Sequence, residues 1–273
     1  MHNPLKTAIV TGGASGIGRA LCKQLAAKNV FVVITDIHIA QGEALAKEIA
    51  GEGGQARFVP LDVTDASQVQ SVIQATADEF GRLDYLFNNA GISMYGEFQD
   101  MSLEDWNKIV AVNFWGVLYG THVAYPIMRK QGFGHIVNTA SAAGLGPTPM
   151  VSAYTATKHA VVGFSTSLHY EAELYGIKVT ALCPGHVNTA IYENGYAINL
   201  DKEQINASVK QRKMMSPDQF ASLALKGIGK NKVLICPVPL RITTKVLFHL
   251  FPAMERKLMR LVCRVMREAK PAN

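Results

Sequence analysis

Short apolar runs rich in β-branched residues alternate along this chain with longer stretches in which apolar positions recur three and four residues apart. That rhythm is the pattern of a parallel sheet with crossover helices. It predicts strands at Thr7–Val10, Val30–Thr35, Ala56–Pro60, Tyr85–Asn88, His135–Thr139, Lys178–Leu182 and Lys232–Cys236. Helices are expected at Gly18–Ala27, Gly42–Ala50, Ala66–Phe80, Leu103–Met128, Ala153–Tyr175 and Pro217–Gly227. Seven such strands form a doubly wound parallel α/β sheet with helices on both faces, one domain over residues 1–240. Gly185 to Met215 reads as irregular and about twice the usual connection length, so it is expected to act as a substrate lid. No internal repeat or low-complexity linker interrupts the series.

Composition narrows the class. With 273 residues, 48% hydrophobic and 18% charged types, the chain can bury a single large core. Its apolar runs fall far short of the roughly 18–20 residues that cross a bilayer. Thr11-Gly12-Gly13 breaks the first apolar run too early for a secretion signal. The four cysteines are widely spaced and no metal-ligand spacing occurs, so reduced thiols, a cytoplasmic setting and no metal site are expected. The net charge of +6 lies in the tail: residues 241–273 carry eight basic and two acidic side chains, leaving nineteen of each in residues 1–240. A nucleic-acid partner is therefore not expected.

Candidate chemistry begins at Thr11–Gly18, which follows the first strand directly and opens the first helix. Absent side chains at Gly12, Gly16 and Gly18, with Ser15 and Ile17 between them, would let backbone N–H groups approach a pyrophosphate at a helix N-terminus. Asp36 ends the second strand 20 residues after Gly16, where a carboxylate accepts hydrogen bonds from an adenosine ribose. A 2′-phosphate would meet that negative charge, so NAD is favoured over NADP. Arg19, one residue past the turn, is the cation that could offset it.

Tyr154-Thr155-Ala156-Thr157-Lys158 places a phenol and an ammonium on one helix face, one turn apart. A neighbouring cation favours phenolate, which makes Tyr154 a candidate general base. With the Gly-rich turn, Asp62-Val63, Asn88-Asn89-Ala90-Gly91, Asn113, Ser141 and Pro184-Gly185-His186-Val187-Asn188-Thr189, the chain from about Thr7 to Cys236 resembles the single-domain, Rossmann-like short-chain dehydrogenase/reductase family. The resemblance implies a catalytic tetrad. Tyr154 would exchange the substrate proton, Ser141 would hold the carbonyl oxygen, Lys158 would hold the nicotinamide ribose and bias Tyr154, and Asn113 would position a water in a proton relay. It further implies that Asp62 and Val63 flank the adenine and that Asn89, Ala90 and Gly91 wall the adenosine ribose. Pro184, Gly185, Val187 and Thr189 would line the nicotinamide end, Thr189 holding its carboxamide. A homodimer or homotetramer through the long helices is implied as well.

The substrate is sought at the pocket edges: Met94, Tyr95, Leu145, Pro147, Met150, His186, Ile191, Tyr192, Tyr196, Ile198 and Met215. These are mostly large and apolar, which suits a bulky lipophilic secondary alcohol or ketone of steroid, retinoid or acyl type. Beyond Leu240, Met254, Leu258, Leu261, Val262 and Val265 recur at helical spacing, with Arg256, Lys257, Arg260, Arg264 and Arg267 on the other faces. This basic amphipathic extension has two readings, peripheral contact with an anionic membrane and docking on its own body or a neighbouring subunit. Two rival functions are an NAD(H)-sensing regulator without turnover and a membrane-surface lipid-binding protein.

Overall fold

A computed structural model describes residues 5–211, 213–238, 247 and 250–267. β1 (Lys6–Thr11), β2 (Val30–Asp36), β3 (Ala56–Pro60), β4 (Tyr85–Asn88), β6 (Gly134–Thr139), β7 (Ile177–Leu182) and β9 (Leu234–Ile235) form one sheet, in the order β3-β2-β1-β4-β6-β7-β9. Every pairing in it is parallel. All seven expected strands are present, the last shortened to two residues. A separate pair joins β5 (Met94–Tyr95) to β8 (Tyr196–Ala197).

The helices are α1 (Gly16–Ala26), α2 (Ile39–Gly51), α3 (Ala66–Phe80), α4 (Leu103–Val110), α5 (Gly116–Gln131), α6 (Ser152–Glu173), α7 (Lys202–Lys210), α8 (Pro217–Ile228) and α9 (Pro252–Arg267). Their ends are chemically marked. Asp65 caps α3 by accepting from the Ser67 and Gln68 amides, and Gly81 terminates it at φ 65°. Ser216 and Gln219 form a capping box at α8, with Pro217 in its first turn.

The sheet is buried on both faces. Ala8, Val10, Val32 and Ile34 pack with Leu21 and Leu25 of α1, Leu45 of α2 and Phe220 of α8. Ile9 and Val33 point the other way, into a cluster with Ile73 of α3, Ala124 and Met128 of α5 and Ala172 of α6. Burial on both sides explains why these strands read as continuous apolar runs rather than alternating ones. The chain winds outward from β1 to β3 and then returns to β4 on the other side of β1. The carboxyl ends of β1 and β4 therefore flank a crevice.

Two elements differ from the sequence expectation. The helix expected at Leu103–Met128 is two helices joined by a π-helical turn, Ala111–Trp115. The segment from Gly185 to Met215 is not irregular throughout, because it contains β8 and α7. Its base is closed by a parallel bridge between Val187 and Met215, with Asn188 N donating to Met215 O and Met215 N to His186 O, both at 2.9 Å.

Candidate active site

The turn between β1 and α1 is a close backbone junction. Gly12 and Gly16 have φ of 60° and 52°, where a side chain would be strained. A Cβ on Gly12 would lie 2.8 Å from Ala90 Cα, and one on Gly18 would lie 2.1 Å from Gly12 O. Gly12, Ser15, Gly16 and Ile17 line a cavity of about 670 Å³, whereas Gly18 lies behind the turn and serves its packing. This corrects the expectation that Gly18 faces the cofactor. The Ser15 side chain makes no capping bond and the first turn of α1 carries no acid, so no local side chain occupies the helix N-terminus.

Asp36 is buried at the end of β2, with its carboxylate accepting from Ala14 N at 3.1 Å and His38 N at 3.0 Å. It lines the same cavity. Arg19 is turned away and pairs with Glu48 at 2.5 Å, while Glu48 also binds Lys23 at 2.7 Å. Asp62 and Val63 lie along the wall, but the Asp62 carboxylate accepts from Thr64 N and Oγ1 at 2.9 and 2.8 Å. Asn89 ties three strand ends together. Its Nδ2 donates to Thr11 O and Gly12 O at 3.0 and 3.2 Å, and its Oδ1 accepts from Thr139 at 3.3 Å. Ala90 and Gly91 continue this wall, and Pro184, Gly185, Val187 and Thr189 form the opposite one.

Ser141, Tyr154 and Lys158 meet at the centre of the cavity. Ser141 sits just past β6 and hydrogen bonds to the Tyr154 phenol, which α6 presents from its first turn. Burial raises the Tyr154 pKa above its ordinary value, and the Ser141 bond offsets part of that rise. Lys158, one turn on, donates to Thr139 O at 2.9 Å and stands 5.6 Å from the centre of the Tyr154 ring. Burial brings its pKa down to about 8.

Asn113 is fully buried in the π-helical turn and does not line the cavity. Its Oδ1 accepts from Ile92 N at 2.8 Å, and its Nδ2 donates to Ile92 O at 2.9 Å and Thr157 Oγ1 at 3.3 Å. Both side-chain N–H groups are used, so the side chain anchors the loop after Gly91. A Cβ on Gly91 would stand 3.2 Å from Asn113 Oδ1 and 3.4 Å from Lys158 Nζ. Only glycine leaves these groups undisturbed there.

At the substrate end, Tyr95, Pro147, His186, Ile191 and Tyr192 line the cavity, with Tyr192 Oη 3.3 Å from His186 Nδ1. Two expected substrate residues lie elsewhere. Leu145 packs beside a core cluster formed by Val117, Ala140 and Val161, and Met150 is buried under the excursion with Leu200, Ile205 and Val209. Among the remaining edge candidates, Met94, Tyr196, Ile198 and Met215 are also outside the lining. Ile205, Ser208 and Val209 of α7, and Met259, Val262 and Met266 of α9, were missed and do line it. The i, i+4 pair Ile205 and Val209 after the Asp201 cap was a readable helix signal. Among the described residues no cluster of His, Cys, Asp and Glu could hold a metal ion.

Residues 6–197 match the family described as short chain dehydrogenase. The 2,5-dichloro-2,5-cyclohexadiene-1,4-diol dehydrogenase LinX of Sphingobium indicum is 41% identical over 189 residues, covering 69% of this chain and 76% of that protein. The D-beta-hydroxybutyrate dehydrogenase of Rhizobium meliloti is 34% identical over 238 residues, covering 83% and 92%. Among solved structures, a short-chain dehydrogenase/reductase from Burkholderia phymatum in complex with NAD superposes with TM-score 0.84 at 29% identity, covering 93% of this chain and 96% of that one. A short-chain dehydrogenase from Sphingobium yanoikuyae in complex with NADPH gives TM-score 0.77 at 25% identity, covering 94% and 95%.

Proposed function

The chain belongs to the short-chain dehydrogenase/reductase family and is an oxidoreductase acting on CH–OH groups with a nicotinamide nucleotide, and from that premise we propose that it is an NAD-dependent dehydrogenase of bulky lipophilic secondary alcohols. The observation that carries the proposal is one continuous cavity that joins the Gly-rich turn and Asp36 to Ser141, Tyr154 and Lys158.

The residues fit the nucleotide. Gly12 and Gly16 let the turn lie close against Ala90 and Thr189 at the cavity wall, where a Cβ would collide with them, and the N-terminus of α1 offers N–H groups to a pyrophosphate. Asp36 is held by two backbone donors with its carboxylate at the cavity wall, in place to accept from ribose hydroxyls. What supports NAD over NADP is that Asp36 repels a 2′-phosphate while Arg19 is engaged by Glu48. Asn89, Ala90 and Gly91 would border the adenosine side, and Val187 and Thr189 the nicotinamide end. When bound, the nucleotide supplies the hydride acceptor or donor.

The chain's own groups handle the proton and the oxygen. Tyr154 takes the hydroxyl proton of an alcohol or returns it to a forming alkoxide. Ser141, already bonded to the phenol, donates to the substrate oxygen where negative charge develops. Lys158, fixed by the Thr139 carbonyl, would hold ribose hydroxyls and set a positive potential beside Tyr154. Asn113 positions Ile92, and through it the loop that leads to Tyr95. The lipophilic class is supported by Tyr95, Ile191, Tyr192, Val209 and Met266 around the substrate end.

The test is NADH formation by the purified protein over secondary alcohols from short-chain to steroid and retinoid, with Tyr154→Phe in parallel. Turnover concentrated in the bulky members, with the variant lower by about 10²–10⁴-fold, is expected for loss of a general base. Nucleotide binding without turnover of any alcohol would favour the sensing role instead.

A further inference from the structure

α9 is two-sided. At about 100° per residue, Met259, Val262 and Met266 fall on one stripe, and this stripe walls the substrate end of the cavity. Met266 packs beside Ile205 and Val209 of α7, and Arg267 pairs with Glu97 on the body. A second stripe on the adjacent arc, Met254, Leu258, Leu261 and Val265, continues from Leu250 and Phe251, and these six side chains are 41–64% exposed. Lone exposed apolar residues are ordinary on a protein surface; a contiguous row of six on one helix and its approach is not. Arg256, Lys257, Arg260 and Arg264 are exposed on the remaining face and border this row. Glu255 is the acidic residue of the described helix.

We propose that the outer stripe of α9 seats on an anionic lipid bilayer, so that the cavity walled by its inner stripe opens at the membrane surface. The charge pattern selects lipid as the occupant. An apolar row bordered by arginines fits acyl chains beneath phosphate headgroups, whereas a second copy of this chain would bring the same basic residues against one another. No described helix is long and apolar enough to cross a membrane, so the attachment is one of lying in the interface. It deepens the proposed dehydrogenase reading and rests on it for the lipophilic substrate, which would enter the cavity from the bilayer without crossing water.

The experiment is flotation of the full chain with vesicles of phosphatidylcholine alone and of phosphatidylcholine with 30% phosphatidylglycerol. Expected are binding to the anionic vesicles, weaker binding to the neutral ones, and a partition lowered about 30-fold by Arg260→Gln with Arg264→Gln. Leu258→Glu with Leu261→Glu, outside the cavity lining, abolishes flotation while leaving NADH formation from a short soluble alcohol unchanged. Wild-type protein that stays unbound with anionic vesicles would overturn the proposal. So would a Leu258→Glu/Leu261→Glu protein that still floats but sediments as a smaller oligomer, which would make the stripe a subunit interface. Flotation does not depend on turnover. Binding with no alcohol oxidised would therefore sink the dehydrogenase reading alone, and turnover with no binding would sink the membrane proposal alone.

Discussion

Lys158 is 2% exposed and has a pKa of about 8 against an ordinary 10.5, because its burial penalises the ammonium. The sign of its effect on stability follows. Above about 10.5 the group is neutral in both states and costs nothing. As pH falls from there to about 8 the unfolded chain gains a proton that the folded chain resists, so stability drops by about 3 kcal/mol and stays lower below that point. Lys158→Met removes this cost and forfeits the bond to Thr139 O, worth about 1 kcal/mol. The variant should melt roughly 5 °C higher than wild type at pH 7, by calorimetry, while losing turnover. Tyr154 shifts the other way. Its raised pKa keeps the phenol protonated at neutral pH and beyond, so alcohol oxidation should climb with pH while carbonyl reduction stays level, measured as kcat/KM from pH 6 to 10. At Asp36, replacement by Ser removes the charge that opposes a 2′-phosphate. Titration should show the NADP(H)/NAD(H) affinity ratio rising about tenfold or more, with NAD(H) itself bound more weakly because Ala14 N and His38 N lose their acceptor.

At the scale of elements, α9 and the excursion define the substrate end. Met266→Ala takes the side chain from between the cavity and α7, so the KM of bulky alcohols should rise severalfold while that of short ones changes little. The elements differ in how far the sequence announced them. The inner strands β1, β2, β6 and β7 were legible because burial on both faces leaves long apolar runs, and α3 and α8 because caps mark their ends. The turn, Asp36, Ser141 and Tyr154 were legible because each sits in register at a strand end or first helical turn, and Lys158 because it follows Tyr154 by one turn on the same face. Asn113 was legible only through the family resemblance, since its setting is a π-helical turn that hydrophobic periodicity does not encode. Leu145 and Met150 were misplaced for a related reason. Size and polarity name the residues near a pocket but not which way the backbone turns them, and Met150 has φ 65°.

For the molecule as a whole, the exposed apolar residues away from α9 bear on assembly. Trp115 in the π-helical turn, and Tyr170, Leu174 and Tyr175 at the end of α6, are 41–86% exposed. A homodimer or homotetramer that buries them is expected in sedimentation equilibrium, and Leu174→Glu should shift the distribution to smaller species. The bridge between Val187 and Met215 has a different consequence. The excursion leaves and rejoins the fold at one hydrogen-bonded staple, and within it β8 pairs with β5 of the body while Ser93 Oγ donates to Ile191 O at 2.6 Å. Lengthening such a loop adds little closure entropy, about 0.6 kcal/mol per doubling. A replacement for the stretch from Asn188 to Met214 must therefore keep Thr189 at the cavity and a strand that pairs with β5. Grafting a related excursion at those two anchor points would retarget the enzyme to a new ligand while the proton-handling trio stays where it is.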